Sequence, residues 1–237
     1  MNIAYLFYGH SRTWTQCYES FFENVFSSAP GDIFIHTWDR VNSTSGSNWN
    51  GWIEELPTTD ISSQIIDLNG IIKAYNPIDI IIEKDKGIKH FKTNLPHVSL
   101  PHLGVKNMLD SRLKVFNMAK QHKKYDKYFL NRMDIKYLSK FDKNELLFDE
   151  LIISKSGYSN KLPLIFDLFV IGSEIQIEIK TNYINHIDEY WYNYSSDLYR
   201  YSYEEALQKY CVNNGIIAKA SCMDYCAPRI DGKTTYW

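Results

Sequence analysis

The first forty residues of this chain contain two apolar runs separated by a helical pattern. Residues 2–8 form a continuous, largely apolar run, and residues 32–39 form a second one. From Thr13 to about Phe26, aromatic and aliphatic residues recur at helical spacing. Strands buried on both faces of a parallel sheet have unbroken apolar runs, and two parallel strands need a crossover connection. The sequence therefore predicts a right-handed β-α-β unit at the start of a mostly parallel sheet.

Similar patterns continue along the rest of the chain. We predict five further strands, over residues 77–83, 128–137, 151–154, 166–171 and 215–221. Helices are predicted within residues 60–75 and over residues 102–122, 173–190 and 203–213. Strands that alternate with helices are typical of α/β folds. We therefore expect one α/β domain over residues 1–237, with a mostly parallel central sheet and a helical, aromatic-rich C-terminal part.

Composition excludes several classes of protein. Lys and Arg number 26 and Asp and Glu 28 among 237 residues, and this near-neutral balance excludes a polycationic nucleic-acid binder. A hydrophobic content of 44% excludes a disordered chain. No run approaches the roughly 18 apolar residues of a membrane span, and the N-terminus has no signal-peptide pattern. We expect a cytoplasmic protein with four buried free cysteines, whose aromatic C-terminal region would suit peripheral attachment to the inner face of a membrane.

The turn between the first strand and the first helix has the sequence Gly9-His10-Ser11-Arg12. Such a junction offers backbone N–H groups and a helix N-terminus to an anion, and Arg12 adds charge. The dinucleotide fingerprint GxGxxG is absent. Asp39 ends the second strand, a position typical of ribose binding. His36 fits a core histidine better than a catalyst.

Two arginines interrupt apolar segments. Arg112 falls in the middle of the apolar stripe of helix 102–122, which suits either a structural ion pair or a phosphate ligand. Arg132 and Asp134 follow a hydrophobic strand and share a face of it if the strand continues. Such a pair suits a metal-bound diphosphate at the carboxyl end of a sheet, or a plain ion pair.

The second half of the chain offers candidate residues for binding a sugar or another substrate that accepts a transferred group. Asp167 interrupts an apolar segment just before Gly172-Ser173, where Ser173 is a good helix N-cap, and this carboxylate is a candidate general base or acceptor ligand. Residues 190–210 hold seven tyrosines and Trp191, which suit either stacking on sugar rings or helix packing. Tyr190, Trp191 and Glu204 are the acceptor candidates. Arg229 is a further candidate clamp for a diphosphate.

Together these segments resemble bacterial GT-A-type glycosyltransferases of surface polysaccharide biosynthesis, such as those that build capsule, O-antigen or lipooligosaccharide. The resemblance rests on four segments in order: Gly-His-Ser-Arg-Thr (9–13), Asp-Ile-Phe-Ile-His-Thr-Trp-Asp (32–39), Tyr-Asp-Lys-Tyr-Phe-Leu-Asn-Arg-Met-Asp (125–134) and Phe-Asp-Leu-Phe-Val-Ile-Gly-Ser (166–173). In the third segment, Arg-x-Asp stands where other GT-A enzymes carry DxD.

This resemblance implies a GT-A-like, Rossmann-like domain whose donor-binding half covers residues 1–138 and whose acceptor-side half covers residues 139–237. It implies a nucleotide-sugar donor and a glycan or lipid-linked glycan acceptor. Asp134 would be the carboxylate for the diphosphate or for Mg²⁺ or Mn²⁺, with Arg132 replacing the first acid of DxD. Gly9, Arg12 and Asp39 would contact the nucleotide, Arg112 and Arg132 the diphosphate. Asp167 would face the acceptor hydroxyl.

Two other functions remain open at this point. A sugar-phosphate or nucleotidyl transferase would use the same phosphate-binding groups but transfer a phosphoryl group. A non-catalytic carbohydrate-binding protein is the second alternative, since the chain departs from DxD. Product formation distinguishes these alternatives from a glycosyltransferase.

Overall fold

The protein is described by a computed structural model that covers residues 1–42, 63–84, 100–154, 168–193, 203–228 and 234–236. The predicted β-α-β unit is present at the N-terminus. It consists of β1 (Ile3–Tyr8), α1 (Trp14–Phe21) with a π-helical extension (Phe22–Phe26), and β2 (Asp32–Trp38). A short pair, β3 (Arg40–Asn42) and β4 (Ser63–Ile65), is followed by α2 (Leu68–Tyr75) and β5 (Asp79–Glu83).

The middle of the chain begins with the long helix α3 (Leu100–His122), which leads into β6 (Lys127–Arg132). Then follow β7 (Lys136–Tyr137), a 3₁₀ turn (Lys143–Leu147), β8 (Leu151–Ile153), β9 (Phe169–Gly172) and α4 (Glu174–Asn182). The C-terminal elements are a 3₁₀ turn (Tyr183–Asn185), α5 (Ile187–Asn193), α6 (Tyr203–Asn213), β10 (Ala218–Ala220), β11 (Tyr225–Pro228) and β12 (Thr234–Tyr236).

The central sheet has seven strands in the order β10-β8-β9-β6-β1-β2-β5. Strands β6, β1, β2 and β5 are mutually parallel, and β8 is parallel to β10. Only β9 of these seven runs antiparallel to its neighbours, β6 and β8. The predicted fold class, α/β with a mostly parallel central sheet, is therefore confirmed.

Both faces of the central strands are buried, as their unbroken apolar sequences predict. In β1, Ala4, Leu6 and Tyr8 point toward the layer that contains α3 and the C-terminal helices. The alternate residues Ile3, Tyr5 and Phe7 point toward the layer of α1 and α2. Helices on both sides of a parallel sheet leave the carboxyl ends of its strands as the natural place for a ligand.

Three predicted segments differ from the structure. The strand predicted at 128–137 ends at Arg132, because the chain turns at residues 133–134 and β7 joins a second sheet of order β12-β11-β7. The helix predicted at 173–190 is interrupted by the 3₁₀ turn before α5. The C-terminal part is not purely helical, since β11 and β12 pair antiparallel there. The pairing of β7 with β11 joins residues some ninety positions apart, and such a long-range contact leaves little trace in local sequence.

Some local signals are confirmed. Ser173 caps α4 in a capping box with Gln176. The four cysteines are free thiols, but Cys222 is exposed and not buried. Within the described parts of the chain, no helix is both long and apolar enough to cross a membrane.

Candidate functional site

The strand order reverses between β1 and β6, at the centre of the sheet. From β1 the chain crosses over through α1 to β2 on one side, whereas after β5 it returns through α3 to β6 on the other side. Tyr8 and Arg132 are the last register partners of the two strands. Open α/β sheets bind ligands at such a switch point, outside the carboxyl ends of the strands. Residues 9–12 and 132–134 both leave the sheet at this point.

Arg132 and Asp134 form a two-point ion pair at this switch point. The Arg132 Nε donates to Asp134 Oδ1 at 2.8 Å, and Nη2 donates to Oδ2 at 2.6 Å. The predicted pairing is therefore present, although Asp134 lies in a turn and not on the strand. The Arg132 side chain is 25% exposed and that of Asp134 only 6%. A ligand outside the carboxyl ends of the strands can thus reach the Arg132 guanidinium, whereas the Asp134 carboxylate is almost fully covered.

Two guanidinium groups determine the charge state of Asp134. Burial raises the pKa of this carboxyl, but the charge and hydrogen bonds of Arg132 and the charge of Arg12 together lower the pKa below its ordinary value. Arg12 itself is exposed. Asp134 is therefore ionised at neutral pH, and the described part of the site holds two cations around one carboxylate. This charge balance suits an anionic ligand.

Arg112 occupies a different position from Arg132. Its side chain is fully buried, and Nη2 donates to the hydroxyl of Tyr8 at 2.8 Å. Its guanidinium carbon also lies 4.6 Å from the centre of the Tyr8 ring, within cation–π range. In this structure Arg112 contacts the last residue of β1, and its side chain has no exposed surface.

Ser111, the residue before Arg112 on α3, contacts Gly9. The Gly9 φ of +93° is a conformation that side chains disfavour, and the Gly9 N–H donates to Ser111 Oγ at 3.0 Å. The same oxygen lies 2.7 Å from His36 Nδ1. Sequence reasoning missed Ser111, because Ser111 and Gly9 are 102 residues apart and a single serine in a helix carries no local signal.

His36 continues this polar chain toward the sheet edge. Its Nε2 lies 3.6 Å from Glu83 Oε2, and Lys114 Nζ donates to both Glu83 oxygens at 2.7 and 2.8 Å. The imidazole is fully buried. Burial lowers its pKa, and despite the opposing charge of Glu83 the pKa falls to about 4. His36 is therefore the neutral core histidine that its sequence position favours.

We predict a pH-dependent loss of stability from His36. An unfolded histidine has a pKa of about 6.5, so between pH 6.5 and 4 the unfolded state binds more protons than the folded state. The stabilisation is complete above pH 6.5 and is lost as the pH falls toward 4. The free energy of unfolding should fall by about 2 kcal/mol between pH 7 and pH 5, measured by urea unfolding at constant ionic strength.

The matched control for this prediction is His36→Asn. This variant should be less stable at pH 7 but should lose much less stability between pH 7 and pH 5. The carboxyls with lowered pKa, Asp32 and Asp134, titrate below this window and do not confound it. An equal pH dependence in both proteins would contradict the assignment.

The remaining predicted residues are distributed as follows. Asp39 follows β2, is half-buried, and its N–H donates to the Glu83 carbonyl oxygen at 2.9 Å. Tyr190 packs edge-on against Tyr210 at 5.2 Å between ring centres, and its hydroxyl accepts from Asn213 at 3.2 Å. Asp167 and Arg229 lie outside the residues that the structure describes. Trp191 and Glu204 lie in described helices, but their side chains are not described.

A pocket of about 300 Å³ opens elsewhere, at the amino ends of the strands. Its lining is mostly apolar and aromatic, and includes Phe22, Phe26 and Tyr75. The carboxylate in this lining, Asp32, accepts hydrogen bonds from Lys123 and Tyr125 at 2.8 and 2.7 Å. The charged groups that suit a phosphate therefore lie at the other end of the sheet.

The resemblance to GT-A enzymes raises the question of a divalent cation. Both oxygens of Asp134 accept hydrogen bonds from Arg132. In the part of the chain that the structure describes, no three His, Cys, Asp or Glu side chains are grouped to hold a metal ion. Mg²⁺ and Mn²⁺ need several oxygen ligands. The described donors therefore do not fit a cation at Asp134.

No family model matches the chain, and no curated protein sequence matches it. One similar solved structure is the galactosyltransferase LgtC in complex with donor and acceptor sugar analogues. The superposition covers 92% of this chain and 73% of that one, with 14% sequence identity and a TM-score of 0.42. Similarity at this level does not assign a function to this chain.

Proposed function

We propose that this protein is a glycosyltransferase that moves a sugar from a nucleotide-sugar donor to a glycan or glycolipid acceptor in bacterial surface polysaccharide biosynthesis. One observation carries the proposal: the Arg132–Asp134 pair lies at the switch point of the sheet, beside the turn that contains Arg12. The ordered sequence segments that resemble GT-A enzymes support it. The proposed location is the cytoplasm or the inner face of the membrane.

In this proposal Arg132 stabilises the departing nucleoside diphosphate. Negative charge grows on the diphosphate as the bond to the sugar breaks, and a fixed cation stabilises that charge most when it needs no reorganisation. Asp134 holds the guanidinium through two hydrogen bonds, so Arg132 is oriented before the donor binds. Asp134 is then a positioning residue, and Arg132 is the group that contacts the diphosphate. Arg12 adds a second positive charge.

The other predicted residues have supporting roles in this proposal. Arg112 acts through Tyr8, whose hydroxyl it binds. Asp39 contacts the nucleotide from the end of β2. The donor binds mainly to residues 1–138, and the acceptor binds to residues 139–237, near Tyr190, Trp191 and Glu204. Asp167 remains the proposed acceptor-side carboxylate, which would take the proton of the attacking hydroxyl if the reaction inverts the sugar carbon.

A panel of UDP-, GDP-, ADP- and CMP-sugars tests the proposal by thermal shift and product analysis. We expect one of the diphosphate donors, at a hundredfold excess over its Kd, to raise the melting temperature by about 5–10 °C. With an acceptor or with water, that donor should release a nucleoside diphosphate. A phosphodiester product would indicate a nucleotidyl transferase instead, and binding without turnover a non-catalytic protein. No shift with any donor would contradict the proposal.

A further inference from the structure

A chain of polar contacts links the edge strand β5 to the turn that follows β1. We call it the Ser111 network, and its members are Lys114, Glu83, His36, Ser111 and Gly9. Its contacts run from Lys114 to Glu83, from Glu83 to His36 at 3.6 Å, from His36 to Ser111 at 2.7 Å and from Gly9 to Ser111 at 3.0 Å. His36 and Ser111 are both fully buried. The Ser111 network thus crosses the core and ends at the backbone N–H of Gly9.

The direction of the hydrogen bonds follows from the charges. Neutral His36 has one ring proton, and the negative charge of Glu83 favours that proton on Nε2. The Nδ1 then accepts the hydroxyl proton of Ser111. The Ser111 oxygen, having donated its proton, uses a lone pair to accept the N–H of Gly9. In this arrangement His36 orients the Ser111 hydroxyl, and the Ser111 oxygen holds the Gly9 amide.

The network ends at the turn that lies at the switch point. Gly9 has a φ of +93°, a backbone conformation that residues with a side chain rarely adopt. Its contact with Ser111 ties it to α3. The next residue on α3, Arg112, binds Tyr8, the residue before Gly9. Two adjacent side chains of α3 thus anchor the end of β1, where the turn with Arg12 begins.

We propose that Ser111 is a positioning residue for diphosphate binding: it fixes the Gly9–Arg12 turn and so the approach of Arg12 to the ligand. This inference rests on the proposed function. A serine that contributes only to stability could bind a backbone amide anywhere in the fold. Ser111 instead binds the amide of Gly9, in the turn beside the Arg132–Asp134 pair. Buried polar chains have a desolvation cost that an apolar core avoids, so a role beyond packing is expected.

The chain offers a closely matched control at Ser20. This serine is buried, and its Oγ accepts the backbone N–H of Tyr137 at 3.0 Å, the same length as the Gly9 bond. Ser20 lies near the end of α1 and links this helix to β7, about two helical turns beyond the Gly9–Arg12 segment. Ser111→Ala and Ser20→Ala should therefore lose similar amounts of stability. Only the first should affect the binding site.

The experiment titrates UDP, GDP and ADP into wild type, Ser111→Ala and Ser20→Ala by calorimetry at a temperature where all are folded. For the diphosphate that wild type binds, Ser111→Ala should weaken the affinity by roughly tenfold, and Ser20→Ala by less than about twofold. In protein with ¹⁵N-labelled glycine, the Gly9 amide should lose its protection from hydrogen exchange in Ser111→Ala only.

The outcomes separate the two proposals. Unchanged affinity in Ser111→Ala, or a Gly9 amide that stays protected, would overturn the role of Ser111 and leave the proposed function standing. An equal loss of affinity in both variants would reduce Ser111 to a structural residue. If wild type binds none of the three diphosphates, the proposed function fails, and the role of Ser111 fails with it.

Discussion

Replacing Arg132 with alanine should lower the rate of sugar transfer by about 10²–10³-fold, the usual effect of removing one preorganised group that stabilises transition-state charge. The guanidinium is partly exposed at the switch point and is held by Asp134 at two points. Removing it leaves the leaving diphosphate without its fixed cation. The measurement is turnover of the nucleotide-sugar that wild type binds, with circular dichroism and thermal melting to verify the fold.

Variants of the partner and of a distant cation complete this test. Asp134→Ala should lower transfer by a similar factor while the fold remains intact, because Arg132 loses its orientation. Arg132→Lys keeps the charge but not the two-point geometry, and should recover only a small part of the rate. Lys140→Ala removes an exposed charge near the end of β7 and should leave turnover unchanged. Normal turnover in Arg132→Ala or Asp134→Ala would exclude this pair from the site.

Gly31→Ala should destabilise the fold by about 3 kcal/mol, the upper range of overpacking effects. A Cβ on Gly31 would overlap the carbonyl oxygen of Ile3, and would lie 3.0 Å from the Cβ and 3.1 Å from the carbonyl carbon of that residue. Ile3 begins the central strand β1, which is hydrogen-bonded on both sides. The strand cannot move aside without disturbing the sheet, so the overlap must be relieved by strain.

Urea unfolding of Gly31→Ala and Gly215→Ala measures this effect against a suitable control. Gly215 has a φ of +78°, and its added Cβ would meet nothing within 4 Å, so only backbone strain of about 1–2 kcal/mol is expected there. Equal losses in the two variants would contradict the overlap at Ile3. Because Gly31 precedes β2 at the amino end of the sheet, nucleotide affinity below the unfolding temperature should stay unchanged in Gly31→Ala.

Much of the architecture follows from local patterns. The unbroken apolar runs of β1 and β2 and the helical spacing between them predicted a parallel β-α-β unit, which is confirmed. The N-cap at Ser173 was predicted from one residue, because a serine hydroxyl satisfies an amide that the helix itself cannot. The sequence also predicted that Arg132 lies beside Asp134, although on one face of an extended strand and not across the turn that the structure shows. These features depend on residues that are close in sequence.

Other features depend on contacts between distant segments. The strand after Arg132 ends early because β7 pairs with β11, some ninety residues later in the chain. The sequence left Arg112 open between an ion-pair role and a phosphate ligand, and tertiary packing places it against Tyr8. The role of Asp167 stays a prediction, since this residue lies outside the described part.

The sequence by itself determined most of the strands and helices around the central sheet, because backbone preference and apolar periodicity are properties of short segments. Only the tertiary structure decided which polar groups meet at the switch point. Gly9, His36, Ser111 and Glu83 come from four different segments of the chain, and their polar contacts exist only once the sheet and α3 have packed together. No local pattern encodes such a meeting, because it is the packing that removes water and makes each polar group require a partner.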